Sequence, residues 1–287
     1  MKMPRLKTIL LTPVILFIIA YIALAIRVAT YDNTAAAPVA PPASLETIAI
    51  FGASGTAGDG ILKAALANPD VRTIHVVTRR TTPRIEEGVA SGKIQMTKHM
   101  DYLNYAAIRE QMADLDAVYW AIGLSSIGVD EETYRRIHID FPQQFVEEWI
   151  NARAKPAISF HYISSSDISE DSSAMWARVK VQAEKTLFDL ANNTNLRVIA
   201  YRPDYIGPTI EEAHIGQTLL YWFFSPVGVA VKATQIGQAM MEVTARSDEF
   251  ANGDKLSTWR IIRYSDAYEQ YNYLRVPSSK GSSLNIW

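Results

Sequence analysis

An apolar stretch, residues 46–51 (ETIAIF), runs directly into Gly52-Ala-Ser-Gly55-Thr-Ala-Gly58, and a helical pattern opens at once. Residues 57–68 set Ile61, Leu62, Ala65 and Leu66 at helical spacing. The same alternation continues: residues 73–78 (TIHVVT), 93–98, 115–121 (LDAVYWA), 157–164 (AISFHYIS) and 197–202 (RVIAYR) read as strands. Residues 131–154, with a break expected near Pro142, and 174–192 read as amphipathic helices. Apolar strands separated by helices predict a parallel sheet covered on both faces through right-handed crossovers. The expected fold class is therefore α/β, a doubly wound parallel sheet over residues 45–287, with a small extension of short helices from about residue 210.

The spacing of the turn, GxxGxxG, has a geometric reading. Gly52 lets the chain reverse sharply, Gly55 lets backbone approach a pyrophosphate, and Gly58 lets the helix pack on the strand. The helix then aims unpaired N–H groups and its positive end at phosphate, so the amides around Ser54, Thr56 and Ala57 are candidates to cup a diphosphate. Strand before, helix after and position at the head of the alternation together define a Rossmann-type dinucleotide site. The second strand ends in Thr78-Arg79-Arg80, where NAD-binding domains carry a carboxylate for the ribose hydroxyls. Arginine pairs with a 2′-phosphate through forked, charge-assisted hydrogen bonds, so the expected cofactor is NADP(H).

Residues 8–26 carry no charge, and at ~1.5 Å per helical residue their length matches a hydrocarbon core of ~30 Å. Signal-peptide cores usually run ~7–15 residues, so residues 1–28 are expected to be an uncleaved single-pass anchor, although Ala23-Leu-Ala25 resembles a cleavage site. Lys2, Arg5 and Lys7 favour a cytoplasmic N-terminus, while Arg27 and the cytosolic abundance of the expected cofactor pull the other way. The side of the membrane stays open. Residues 29–44, rich in Pro and Ala, read as a semi-extended tether. The net charge of -2 gives no basic face for nucleic acid. With no cysteine and no metal-ligand spacing among the five histidines, no metal site is expected.

Across residues 46–208 the chain resembles the atypical short-chain dehydrogenase/reductases, in particular the group of Tat-interacting oxidoreductase-like proteins. The residues that carry this likeness are GASGTAG at 52–58, TRR at 78–80, Asp101, AIG at 121–123, ISSS at 163–166, Lys180 and RPDYIGP from 202. The resemblance implies that Asp101 contacts the adenine, that Ala121, Ile122 and Gly123 lie along the cofactor, and that Pro203 and Lys180 complete its site. It also implies carbonyl reduction by a Ser, a Tyr and a Lys, the Tyr giving the proton and the Ser placing the substrate oxygen. Ser164 or Ser165 and Lys180 match that pattern. The tyrosine position holds Trp176, whose indole N–H cannot exchange a proton near neutral pH. Tyr162, Lys180 itself or a water held by Ser165 are the other candidate proton sources.

The segment 219–231 (LLYWFFSPVGVAV) is too short to span a bilayer and reads first as a core helix and loop. Its second reading is a wall of a lipophilic pocket or a patch resting on a membrane. Two functions follow as expectations. One is a membrane-anchored NADP(H)-dependent oxidoreductase acting on a small lipophilic carbonyl or alcohol. The other, prompted by Trp176, is a non-catalytic NADP(H)-binding regulator or scaffold with a protein partner.

Overall fold

The computed structural model describes residues 6–30, 36–37, 45–153, 155 and 158–275. The expected helix end at Ala154, strand start at Ala157 and most of the tether lie outside these residues. The chain opens with α1 (Leu6–Thr30), and among the described residues it is the one helix long and apolar enough to cross a bilayer. Then follow β1 (Thr47–Phe51), α2 (Thr56–Ala67), β2 (Thr73–Thr78), α3 (Pro83–Ala90), β3 (Ile94–Lys98), α4 (Arg109–Ala113) and β4 (Ala117–Trp120). Next come α5 (Glu131–Arg135), a π-helical turn Arg136–Asp140, α6 (Phe141–Ala152), β5 (Ile158–Ile163), α7 (Met175–Ala191) and β6 (Leu196–Arg202). The remainder holds β7 (Tyr205–Gly207), α8 (Ile215–Phe224), a 3₁₀ turn Ser225–Val227, β8 (Ala230–Lys232), α9 (Ala233–Ala245), β9 (Lys255–Ser257) and α10 (Thr258–Arg275).

Seven strands pair in the order β3-β2-β1-β4-β5-β6-β9, every pairing parallel, and β7 with β8 form a separate parallel pair. The strands alternate their buried residues between two apolar layers, as period-2 geometry requires. Ile48, Ile50, Tyr119, Ile199 and Tyr201 pack on one face with Ile61, Leu62, Ile236, Met240 and Ile261 of α2, α9 and α10. Phe51, Val118, Trp120, Phe160 and Val198 pack on the other with Phe145, Trp149, Val179 and Leu187 of α6 and α7.

One feature adds to the expectations, and a second, the break near Pro142, bears one out. The segment beyond residue 210 supplies a sheet strand and two of the three helices that cover one face, so it completes the core rather than trailing from it. The long helix is interrupted by the π-helical turn just before Pro142, where proline has no N–H to continue the ladder.

Strand order reverses at β1, whose two neighbours β2 and β4 run to opposite sides. The crevice beyond the carboxyl ends of β1 and β4 is where sheets of this type hold their ligands.

Candidate nucleotide-binding site

The turn that leaves β1 is shaped by contacts that exclude any side chain. Gly52 has φ +80°, and a Cβ there would meet the Ala121 carbonyl carbon at 2.6 Å, so the turns after β1 and β4 press together. A Cβ on Gly58 would lie 2.0 Å from the Gly52 carbonyl oxygen, which seats the first turn of α2 directly on the loop. Gly58→Ala is accordingly expected to cost ~2–3 kcal/mol and to lower the thermal midpoint by ~5–10 °C, read by thermal unfolding of the full chain in detergent. An unchanged midpoint would mean that the loop relaxes freely.

Gly55 caps α2 with no side-chain hydrogen bond, leaving the first-turn N–H groups without a side-chain partner at the head of the helix. Into that crevice opens a cavity of about 410 Å³. Its walls bring together Gly52, Ser54 and Gly55 from the first turn and Ala121, Ile122 and Gly123 from the turn after β4. Arg79 and Arg80, from the end of β2, close a third side. The Arg80 guanidinium lies across the glycine turn, Nε donating to Ser54 Oγ at 3.3 Å and Nη2 to the Ser54 carbonyl at 3.2 Å. Two cations and a helix N-terminus around one concavity make an anion-accepting pocket.

Other expected residues stand elsewhere. Thr56, Ala57 and Gly58 form the first turn of α2 behind the cavity wall. Asp101 is exposed, and its Oδ1 accepts from the Leu103 N–H at 3.1 Å. The neighbouring Tyr102 occupies the wall in its place, together with Leu124, Ile137 and Phe141. Sequence reasoning missed these four. Tyr102 adjoins the expected aspartate, whereas Ile137 lies in the π-helical turn and Phe141 directly after it, a turn that no local pattern announced.

Pro203 is buried, its carbonyl accepting from the Ser166 N–H at 3.1 Å. Lys180 is only 7% exposed and lines no part of this cavity. Its Nζ donates to the Ile163 carbonyl at 3.0 Å and to the Tyr162 hydroxyl at 3.4 Å. Burial pushes the Lys180 amine down to about 7, against the opposing pull of the Glu184 carboxylate. Glu184 in turn is held by Arg202 at 2.5 and 2.8 Å. Tyr162 is fully buried and donates to the His138 carbonyl at 3.2 Å; burial raises its phenol well above the usual range. Burial first, then the positive Lys180, holds the His138 imidazole down to about 2. Ser164 is buried, with its Oγ bonded to no described group, and Ser165 is half-buried. Trp176 packs, half-buried, against the apolar layer of α6 and α7.

Beyond the glycine turn, the Asp59 carboxylate of α2 is 5% exposed and ties three segments. Arg84 of α3 reaches its Oδ1 at 2.7 Å, and the Thr209 hydroxyl donates to its Oδ2 at 2.5 Å.

No family model matches the sequence, and no curated protein matches it by sequence alignment. Solved structures match the fold. A UDP-glucuronic acid 4-epimerase from Bacillus cereus, in complex with UDP-glucuronic acid and NAD, is 16% identical with a TM-score of 0.57, covering 74% of this chain and 77% of its own. BdcA, in complex with NADPH, is 13% identical with a TM-score of 0.56, covering 74% and 92%. A short-chain dehydrogenase/reductase from Serratia marcescens is 14% identical with a TM-score of 0.57, covering 74% and 95%. The chain therefore has the parallel-sheet Rossmann fold that these proteins share.

Proposed function

We propose that this protein is an NADP(H)-dependent oxidoreductase of the short-chain dehydrogenase/reductase type, tied to a membrane by α1 and acting on a small lipophilic carbonyl or alcohol. The observation that carries the reading is the cavity at the sheet's reversal point, floored by the glycine turn and walled by Arg79 and Arg80. Gly52, Ser54, Gly55 and the first turn of α2 (Thr56, Ala57, Gly58) would hold the diphosphate, and the two arginines a 2′-phosphate. Tyr102 would line the adenine side, with Ala121, Ile122 and Gly123 along the other edge. A bound nicotinamide supplies the hydride. Lys180, with an amine that titrates near neutrality, and Ser164 and Ser165 are this chain's own candidates for handling the proton and the substrate oxygen. The narrower kinship with the Tat-interacting oxidoreductase-like group belongs to the same proposal.

A second reading, a non-catalytic NADP(H)-binding protein, is favoured by one arrangement. Trp176 stands at the tyrosine position, Tyr162 is sealed in the core, and the Lys180 ammonium is turned onto the Ile163 carbonyl.

One experiment separates them. The full chain in detergent is titrated with NADPH and then assayed against a panel of aliphatic and aromatic carbonyls, beside a Trp176→Tyr variant. Saturable binding with turnover supports the enzyme. Binding without turnover, gained on Trp176→Tyr, supports the second reading. No saturable binding overturns both.

A further inference from the structure

Helix α8 sets Gln217, Thr218 and Tyr221 half-buried against the protein and exposes Ile215, Leu219, Leu220, Trp222 and Phe223, and none of its residues is fully buried. Ile215 is 83% and Trp222 68% exposed, and Ile210 just upstream is 88% exposed. An amphipathic helix ordinarily turns its apolar face to the core, whereas here the large apolar residues are the exposed ones, and a contiguous exposed apolar surface of this kind marks a binding face. The expectation of a core helix over this segment is thus corrected.

The neighbour of α8 identifies its cover. Phe17 of α1 stacks on Phe223 with ring centroids 6.4 Å apart, and the Tyr21 ring lies at 5.4 Å. The Tyr21 hydroxyl donates to the Phe223 carbonyl at 2.8 Å. Tyr21 precedes Arg27 by about 9 Å along the helix axis at ~1.5 Å per residue. With Arg27 at a membrane boundary, the end of α8 and the Ser225–Val227 turn fall within the ~5–10 Å depth that interfacial helices occupy.

Beneath α8 lies a cavity of about 930 Å³, between Ile215, Leu219 and Trp222 on one side and Ala64 and Ala67 of α2 on the other. It shares no lining residue with the nucleotide cavity, and Lys63 and Lys232 stand in its wall. Its size sits at the upper end of the ~300–1,000 Å³ typical of ligand sites.

We infer that α8 and the turn after it are seated in the lipid leaflet beside α1, and that the cavity beneath α8 takes an acyl chain of a membrane lipid. This rests on the reading of α1 as a membrane span. Lys63 is paired with Glu211 at 2.7 Å, whereas Lys232 is exposed in the wall. An anionic headgroup would meet Lys232, so phosphatidylglycerol should occupy the site more fully than phosphatidylcholine.

The test uses the full chain reconstituted in vesicles of phosphatidylcholine and phosphatidylglycerol. Flotation with the vesicles after alkaline washing checks the anchor by itself. Lipids brominated on the acyl chain should quench a tryptophan component that is absent from Trp222→Phe. A phosphatidylglycerol bearing a photoreactive acyl chain should label peptides within residues 207–238. Ala67→Trp, which fills the cavity, should cut that labelling about tenfold, equivalent to ~1.4 kcal/mol of lost binding. Thr234→Trp serves the same purpose if Ala67→Trp does not fold. A chain that floats but shows no quenching at Trp222 overturns the inference and leaves the anchor standing. Labelling that ignores both filling variants, or cross-links from α8 to a second copy in place of lipid, overturns it likewise. A chain that does not float removes the anchor and this inference together.

Discussion

An Arg80→Glu chain is expected to bind NADPH about a hundredfold more weakly than the unaltered protein, while losing less than ~tenfold toward NADH. Each charge-assisted hydrogen bond to a phosphate is worth ~1.5–3 kcal/mol, and the substitution also sets a carboxylate where a dianion would sit. The guanidinium is already positioned by Ser54, so little side-chain freedom remains to be lost on binding. Isothermal titration with both nucleotides reads the result. Equal losses for the two would show that Arg80 acts by bracing the glycine turn, and the preference for a 2′-phosphate would have to come from Arg79 or nowhere.

The second large effect concerns pH. Lys180 is neutral in the folded chain above about 7, whereas in the unfolded chain the amine stays protonated up to its ordinary value of 10.5. Between these limits the unfolded state binds the extra proton, so stability rises with pH across that window. Below it the folded state carries a buried charge and the full penalty. At ~1.4 kcal/mol per pH unit the span amounts to about 5 kcal/mol at most. Lys180→Met should therefore be more stable than the unaltered chain at pH 6, with the difference shrinking toward pH 10. Denaturant or thermal unfolding in detergent at several pH values measures it. Parallel pH profiles for the two chains would mean that the ammonium is well solvated in the fold.

The alternation of strands and helices was legible because the central strands are largely buried on both faces and read as mostly apolar runs, with single polar residues such as His75, His161 and Arg197 inside them. The glycine turn was legible because its spacing is a local signal, with Gly58 fixed by Gly52 and Ala53 of the same loop, although the contact that excludes a side chain at Gly52 comes from the turn after β4. What stayed hidden depends on distant partners. The strand Lys255–Ser257 has three residues, too few to show a period, and forms only because β6 offers a free edge. The inward turn of Lys180 comes from the Ile163 carbonyl on the neighbouring strand, which no spacing along the helix could foretell. The exposure of α8 likewise ran against its composition, because apolarity alone says that a segment will be covered and not by what.

Asp59 has a mechanical consequence. Helix α2 is a rod of about 18 Å, at ~1.5 Å per residue over its 12 residues. Its leading end abuts the glycine turn, its trailing half faces the space under α8, and its carboxylate latches the Thr209 strap that borders that space. A rigid strut pinned in this way cannot tilt at one end alone. The glycine turn and the wall of the space under α8 therefore lie at the two ends of one helix.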